Sequence, residues 1–225
     1  MALKDIEGFN VWEVFRHPKK TVQTALEFPN ILTAVALLVI PWVLGIIVPA
    51  ILGLNVNFAW NSAASAVSIA LFFVQAVIIF WIAKKSGNKE KRLFEGVVSA
   101  LSLTQIASII LLVFSFIFLL LNPQIVALTN EWIAGSIQTV DFTNLIFESL
   151  SSNVFGIIAL VVGFIFSIYF SLQVLYLNYL NIKESTGRTV LASIIIMVIV
   201  LFVIAFLKEL VLSLLQVSFV GFFLP

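Results

Sequence analysis

The chain has 225 residues, of which 62% are hydrophobic and 10% are charged. A soluble domain carries about 25% charged residues, and a globule of this length cannot hide so much apolar surface from water. The composition therefore excludes a soluble protein and indicates an integral membrane protein. The net charge of +1 argues against a nucleic-acid partner, and the absence of Cys excludes disulfides and thiolate metal sites.

Residues 1–30 are predicted to form a cytoplasmic, amphipathic N-terminal segment. They are mostly polar and lack the apolar core of a cleavable signal peptide, so the first span is expected to direct insertion. Pro18 suits the first turn of a helix. The side chains expected to offer an apolar surface are Trp12, Val14, Phe15, Val22 and Leu26. The segment is therefore predicted to form one or two short helices that lie on the membrane.

Residues 31–225 are predicted to form an all-α bundle of five transmembrane helices. A span needs roughly 20 apolar residues to cross the hydrocarbon core, so the charge-free stretch 28–83 holds two spans joined by a turn in "GLNVNFAWN". Pro123 ends the third span because proline disfavours helix in the residue before it. The expected spans are roughly 31–53, 59–83, 95–121, 154–180 and 190–211.

The last residues of the chain blur the end of the fifth span. Lys208 and Glu209 lie near that end, where a long side chain reaches the interface. Residues 212–225 carry no charge but are short for a sixth crossing. They are predicted to continue the fifth helix and then to lie at the membrane interface, with a re-entrant path left open.

Positive charge is concentrated in the stretch "AKKSGNKEKRLFE". Five of the twelve Lys and Arg residues fall within residues 84–92, which we call the basic segment. Lys and Arg in short loops remain on the cytoplasmic side during insertion. With a cytoplasmic N-terminus, five spans place eleven of the twelve Lys and Arg residues on the cytoplasmic side. Segment 122–153 then lies outside, and its only charged residues are acidic. The C-terminus is therefore predicted to lie across the membrane, and the twelfth cation is Lys208.

The basic segment has two interpretations. As a topology signal it needs only ordinary headgroup contacts. As a docking surface it would act with Arg16, Lys19 and Lys20 to hold anionic lipid headgroups or a cytoplasmic protein, and each basic residue near a membrane contributes about 1 kcal/mol to such attraction. The cations of the segment itself are Lys84, Lys85, Lys89, Lys91 and Arg92.

The residue arrangements that catalysis requires are missing from the sequence. The single His, His17, lies outside any expected span, and the only Asp residues are Asp5 and Asp141. No Gly-rich phosphate loop is present. We therefore predict that the protein is not an enzyme and has no catalytic, cofactor-binding or metal-binding residues.

Uncharged polar residues recur at helical spacing on two spans. The third carries Ser99, Ser102, Gln105 and Ser108, and the fourth carries Gly163, Ser167 and Ser171. Small residues let helices approach closely and hydroxyls hydrogen-bond across the contact, so both rows are predicted to pack helices together. The alternative is a polar pathway in a small transporter or permease subunit, which would also use the first span, kinked at Pro41 and Pro49.

Three passages resemble the Yip1-domain family of integral membrane proteins. "YLNYLNIKESTGRTVLA" is similar to the end of the family's fourth span and its short cytoplasmic turn, with Glu184, Gly187 and Ala192 in the expected places. "HPKKTVQTALEFPN" resembles its Pro-led amphipathic segment, and "KKSGNKEKRLFEGVVSALSLTQ" resembles its basic loop leading into the third helix. One departure from the family pattern is that the third span contains no Pro.

The resemblance implies a five-span membrane scaffold or adaptor without enzymatic activity, with a role in membrane organisation or trafficking. Eukaryotic relatives associate with one another and with small lipidated GTPases, so a cytoplasmic protein partner and a homo- or hetero-oligomer are both left open. In the turn, Gly187 is expected to supply a positive φ and Glu184 to pair with a basic neighbour. The full set expected to contact lipid or a partner is Arg16, Lys19, Lys20, Lys84, Lys85, Lys89, Lys91, Arg92, Glu184, Gly187 and Arg188.

Overall fold

The computed structural model describes residues 11–54, 58–151 and 154–223, which form ten α-helices and no strand. The helices are α1 (Val11–Arg16), α2 (Pro18–Glu27), α3 (Ile31–Ile51), α4 (Phe58–Lys85), α5 (Leu93–Ser102), α6 (Thr104–Leu121), α7 (Pro123–Ile133), α8 (Thr139–Ser151), α9 (Val154–Thr186) and α10 (Val190–Phe223).

Five stretches within the described residues are long and apolar enough to cross a membrane. They are Ile31–Ile51, Asn61–Lys85, Leu93–Leu121, Gly156–Thr186 and Val190–Leu215. The predicted all-α, multi-pass class and the count of five spans are therefore confirmed. The apolar faces that these helices leave exposed are expected for a chain whose solvent is lipid.

The N-terminal helices form as predicted, but their apolar side contacts protein. Pro18 occupies the first turn of α2, and α2 packs against α5. Val14 and Val22, which were expected to rest on the membrane, are completely buried. The packing of α2 on α5 accounts for this difference, because it supplies an apolar partner within the chain. Trp12 remains 65% exposed and Phe28 74% exposed.

A helix interruption that was not predicted occurs in the third span. Pro41 and Pro49 both lie inside α3, which is continuous. The third span was expected to be one helix and is divided at Leu103 into α5 and α6. The Ser102 hydroxyl donates to a carbonyl three residues earlier (2.8 Å), and so does the Thr104 hydroxyl (2.8 Å). Such bonds to backbone carbonyls favour bends in helices, and both flank the point at which this span is interrupted without a proline.

The chain divides into two compact units, the first of which contains the basic segment. Its described residues are 11–38, 63–106 and 173–223. Its core is an apolar cluster from α3, α4, α5 and α9, formed by Ala34, Leu38, Phe72, Ala76, Ile79, Ala83, Leu93, Val97, Val98, Leu101 and Ile182. Leu26 of α2 and Ile196 of α10 pack against that cluster, so the N-terminal helix belongs to this core.

The second unit contains the acidic segment, which is helical. Its described residues are 39–54, 58–62, 107–151 and 154–172. Helices α7 and α8 pair with each other, and Trp132 of α7 stacks on Phe142 of α8 with ring centroids 5.0 Å apart. The Asn130 amide donates to the carbonyl of Gly53 (3.0 Å), the residue with φ +66 that follows α3.

The last two helices are longer than expected. Helix α9 continues to Thr186, so residues 181–186, predicted to be part of a loop, are helical. Helix α10 runs through Lys208 and Glu209, which are exposed and lie about 27 Å along the axis from Val190 at 1.5 Å per residue. The predicted helical continuation is present as far as Phe223, whereas residues 224–225 and the side chains from 216 onwards lie outside the described part.

Candidate functional site

Two cations of the basic segment belong to α4 rather than to the loop that follows it. Lys84 and Lys85 form its last turn. The Lys85 ammonium lies 3.9 Å from the ring centroid of Trp81, and the Lys84 ammonium 5.8 Å from that of Phe80. Cations over aromatic rings are held by the ring quadrupole, so both charges stay at the end of the span.

The loop that carries the other three cations is attached to α9. Lys89, Lys91 and Arg92 are exposed, and Arg92 forms an ion pair with Glu95 in the first turn of α5. The chain turns at a glycine, and the next residue, Asn88, donates its side-chain amide to the carbonyl of Ser185 (2.8 Å). The loop therefore has a defined position against the last turn of α9.

The polar residues at the end of α9 are buried. Asn181, Ser185 and Thr186 are at most 6% exposed. The Asn181 amide donates to the carbonyl of Val97 in α5 (3.3 Å), and the Thr186 hydroxyl donates to the carbonyl of Ile182 (2.7 Å). The donors among these groups have partners within the protein, which lowers the cost of burying them where a loop was expected, whereas the Asn181 side-chain oxygen is buried with no hydrogen bond from the described residues.

Glu184 has a neutral partner where a basic one was predicted. Its carboxylate accepts a hydrogen bond from the side-chain amide of Gln23 in α2 (2.8 Å). Within residues 11–54, 58–151 and 154–223, the ion pair between Arg92 and Glu95 is the one observed. The contact through Gln23 joins α2 to α9, so Glu184 contributes to assembling this end of the unit.

Gly187 and Arg188 form the connection to α10. Gly187 has φ +62, as predicted. The Arg188 guanidinium donates through Nε to the hydroxyl of Ser86 (3.0 Å). This bond places an exposed cation between the end of α4 and the beginning of α10.

Helix α2 brings the N-terminal cations to the same end. Arg16, Lys19 and Lys20 are exposed, and Lys4 lies outside the described residues. The close approach of α2 depends on Gly96 in α5, because a Cβ there would lie 2.7 Å from the carbonyl oxygen of Leu26. We call the resulting surface the basic end; its cations are Arg16, Lys19, Lys20, Lys84, Lys85, Lys89, Lys91, Arg92, Lys183 and Arg188.

The polar row on the third span enters the protein interior in part. Ser99 and Ser102 are 7% and 1% exposed, and Gln105 and Ser108 are half-buried. The Ser99 hydroxyl accepts a hydrogen bond from the backbone N–H of Asn30 (3.2 Å). These contacts support a packing role for Ser99 and Ser102.

The row on the fourth span behaves differently along its length. A Cβ at Gly163 would lie 3.3 Å from the ring of Phe114, so this glycine sits in a tight contact. Ser167 and Ser171 are exposed. The packing predicted for those two residues therefore stays a prediction.

The structure adds two residues that sequence reasoning did not select. Gly96 accommodates α2, and Asn178 accepts a hydrogen bond at 2.8 Å from the side-chain amide of Gln75. A signal for the second was present, because Asn178 and Asn181 stand three residues apart in an apolar run and so face one side of the helix. Gly96 carries no distinguishing local pattern.

The comparisons with known proteins identify the family. The model of the Yip1 domain matches residues 12–207. No curated protein and no solved structure matches the chain. The matched region includes both α2 and the basic segment, together with the first four spans and most of the fifth. The chain is therefore an integral, multi-pass membrane protein that belongs to the Yip1 domain family.

Proposed function

We propose that this protein is a non-enzymatic membrane scaffold or adaptor whose basic end faces the cytoplasm and docks a cytoplasmic protein with an acidic surface. The observation that carries the proposal is the joining of three separate basic stretches within one compact unit. The hydrogen bond from Gln23 to Glu184 links α2 to the end of α9, and the bond from Asn88 to Ser185 links the loop of the basic segment to the same end. The bond from Arg188 to Ser86 links the turn before α10 to the end of α4.

The charge of this surface is available to a partner. Most cations of the basic end are exposed, and one ion pair, between Arg92 and Glu95, is found in the described part of the chain. Complementary charge steers association and discriminates against wrong partners. A surface whose stretches are already joined by hydrogen bonds also loses little conformational freedom when it binds.

The orientation is part of the proposal. Lys and Arg in short loops remain cytoplasmic, so the N-terminus is proposed to be cytoplasmic and the C-terminus to lie on the opposite side. With no native Cys, Lys89→Cys and Glu131→Cys each introduce a single thiol. An impermeant maleimide should label position 131 in intact cells and position 89 only after permeabilisation. Equal labelling of both from one side contradicts the orientation.

Docking is tested by removing two positive charges while leaving most of the Lys and Arg residues that determine the orientation in the membrane. Lys89→Gln/Lys91→Gln removes two exposed charges, and Lys89→Arg/Lys91→Arg is the matched control that keeps them. Cross-linking in native membranes, followed by purification, should recover a cytoplasmic protein with the control but several-fold less with the Gln variant. Recovery that is the same for both variants, with orientation unchanged, refutes docking through this surface.

A transporter is the second candidate, and the break in the third span at Leu103 favours it, since interrupted helices build substrate sites in transporters. Against it, Ser102 is 1% exposed and its hydroxyl donates to a backbone carbonyl. Ser102→Cys decides between the two: a transporter predicts labelling from water in folded protein, whereas the scaffold predicts protection.

A further inference from the structure

An apolar groove lies between α4 and α10 in the unit that carries the basic end. It has a volume of about 150 Å³ and is lined by Ile78, Ile82, Ile196, Ile199, Val200 and Val203. Its lining consists of Ile and Val side chains, so the groove offers no side-chain hydrogen bond to water. In a membrane protein, the molecule of matching chemistry that surrounds such a groove is a lipid acyl chain.

A cation stands above one end of this groove. Ile78 and Ile82 share one face of α4 at i, i+4 spacing, and Ser86, the first residue after the helix, follows Ile82 at the same spacing. The Ser86 hydroxyl donates to the Ile82 carbonyl (2.9 Å) and accepts from the Arg188 guanidinium (3.0 Å). One helical turn, about 6 Å, thus separates the level of Arg188 from the first groove residue.

The placement of these groups matches the two parts of a phospholipid. Ser86 follows the last residue of the second span, and Arg188 precedes the fifth span by two residues, so both are expected at headgroup depth. Arg188 is exposed, and no carboxylate in the described residues forms an ion pair with it. Its remaining N–H groups are therefore available to a phosphate oxygen, which guanidinium groups bind well.

We propose that the groove binds one acyl chain of an anionic phospholipid whose phosphate is held by Arg188, with Lys84 and Lys85 adding attraction for the negative headgroup. The site goes beyond the docking function and requires only that the chain spans a membrane, although Arg188 belongs to both surfaces. A second apolar cavity, lined in part by Leu150 and Ile157, lies in the other unit, whose sequence contains no Lys or Arg.

Photo-cross-linking tests the site in the full chain. The protein is reconstituted in phosphatidylcholine nanodiscs that contain a minor fraction of phosphatidylglycerol with a diazirine in one acyl chain, and cross-linked peptides are mapped by mass spectrometry. Labelling is expected to concentrate on α4 near Ile82 and on α10 near Ile199. The same diazirine carried by phosphatidylcholine should label these positions less. Even labelling along the exposed faces of the spans, or no labelling because a second copy covers the groove, overturns the proposal.

Matched variants separate the two halves of the site. Arg188→Gln should reduce the cross-link about tenfold, as the loss of a charge-assisted hydrogen bond to the phosphate predicts, whereas Lys91→Gln, which removes an equal charge elsewhere, should reduce it much less. Val203→Phe fills the groove and should abolish the cross-link, whereas Val198→Phe, at a side chain 57% exposed and outside the groove, should leave it unchanged.

The variants also define the results that contradict the site. Equal losses in Arg188→Gln and Lys91→Gln would mean general charge attraction without a specific phosphate site. An unchanged cross-link in Val203→Phe would mean that the groove does not hold the chain. Ile199→Phe, at a side chain 56% exposed, serves as the filling variant if Val203→Phe does not fold.

Discussion

Gly96→Ala is expected to detach α2 from α5 while leaving the third span intact. A Cβ at position 96 would lie 2.7 Å from the carbonyl oxygen of Leu26 and 3.1 Å from its Cα. Both atoms belong to the backbone, so no side-chain rotation relieves the clash and the whole end of α2 has to move. The burial of Val22 and the contact between Gln23 and Glu184 depend on the same approach of the two helices.

The magnitude follows from two opposing effects that act on different equilibria. Overpacking of this kind costs about 1–3 kcal/mol. Alanine also stabilises a helix interior by about 1 kcal/mol relative to glycine, but α5 gains this whether or not α2 is docked. The docking equilibrium alone should therefore shift about 5- to 150-fold towards the undocked state.

A single buried thiol measures that equilibrium. Val22→Cys places a small apolar side chain at a completely buried position in a chain that has no other Cys. In nanodiscs, its labelling by a water-soluble maleimide should be faster by that factor when Gly96→Ala is added. Gly45→Ala is the matched control, because a Cβ at that helical glycine meets nothing within 4 Å. Equal labelling with and without Gly96→Ala, in folded protein, would refute the reasoning.

Three further changes test contacts within the two units. Gln75→Leu leaves the buried Asn178 oxygen without its donor and should lower the free energy of unfolding, measured in detergent, by about 1 kcal/mol. The double variant Gln75→Leu/Asn178→Leu should lose less than the sum of the two single changes, and additive losses would contradict coupling. Gly187→Ala should lower stability by about 1–2 kcal/mol from its positive φ alone, since a Cβ there meets nothing within 4 Å, and Gly187→Asn should lower it less. Gly156→Ala puts a Cβ 2.5 Å from the backbone oxygen of Leu150 and should lower the unfolding temperature, and an unchanged value would show that α8 moves away freely.

The class of protein and its organisation into spans were predictable because they depend on local composition. An apolar run of sufficient length forms a helix in lipid whatever lies next to it, since every backbone group must be satisfied within the segment. The φ of Gly187 was predictable for a similar reason, because the chain reverses there over a few residues. These features need no information about distant contacts.

The break in the third span was not predictable from the usual signal. Proline is the usual signal for such a break, and the prolines at positions 41 and 49 lie inside a continuous helix. The third span breaks instead at Leu103, between Ser102 and Thr104, whose hydroxyls donate to carbonyls three residues earlier. A serine in a membrane helix either bends it or packs against a neighbour, and the sequence does not distinguish the two.

By itself, the sequence determined that this is a five-span helical membrane protein with its positive charge gathered near the ends of particular spans, because hydrophobic length and charge placement act locally. Only the tertiary structure decided which of those charged stretches meet, and that residues 181–186 are helix rather than loop, with Asn181, Ile182, Ser185 and Thr186 buried. The physical reason is that a polar side chain leaves water at low cost only when another group supplies a hydrogen bond, as the distant Val97 carbonyl does for the Asn181 amide and the Ile182 carbonyl, one turn earlier, does for Thr186.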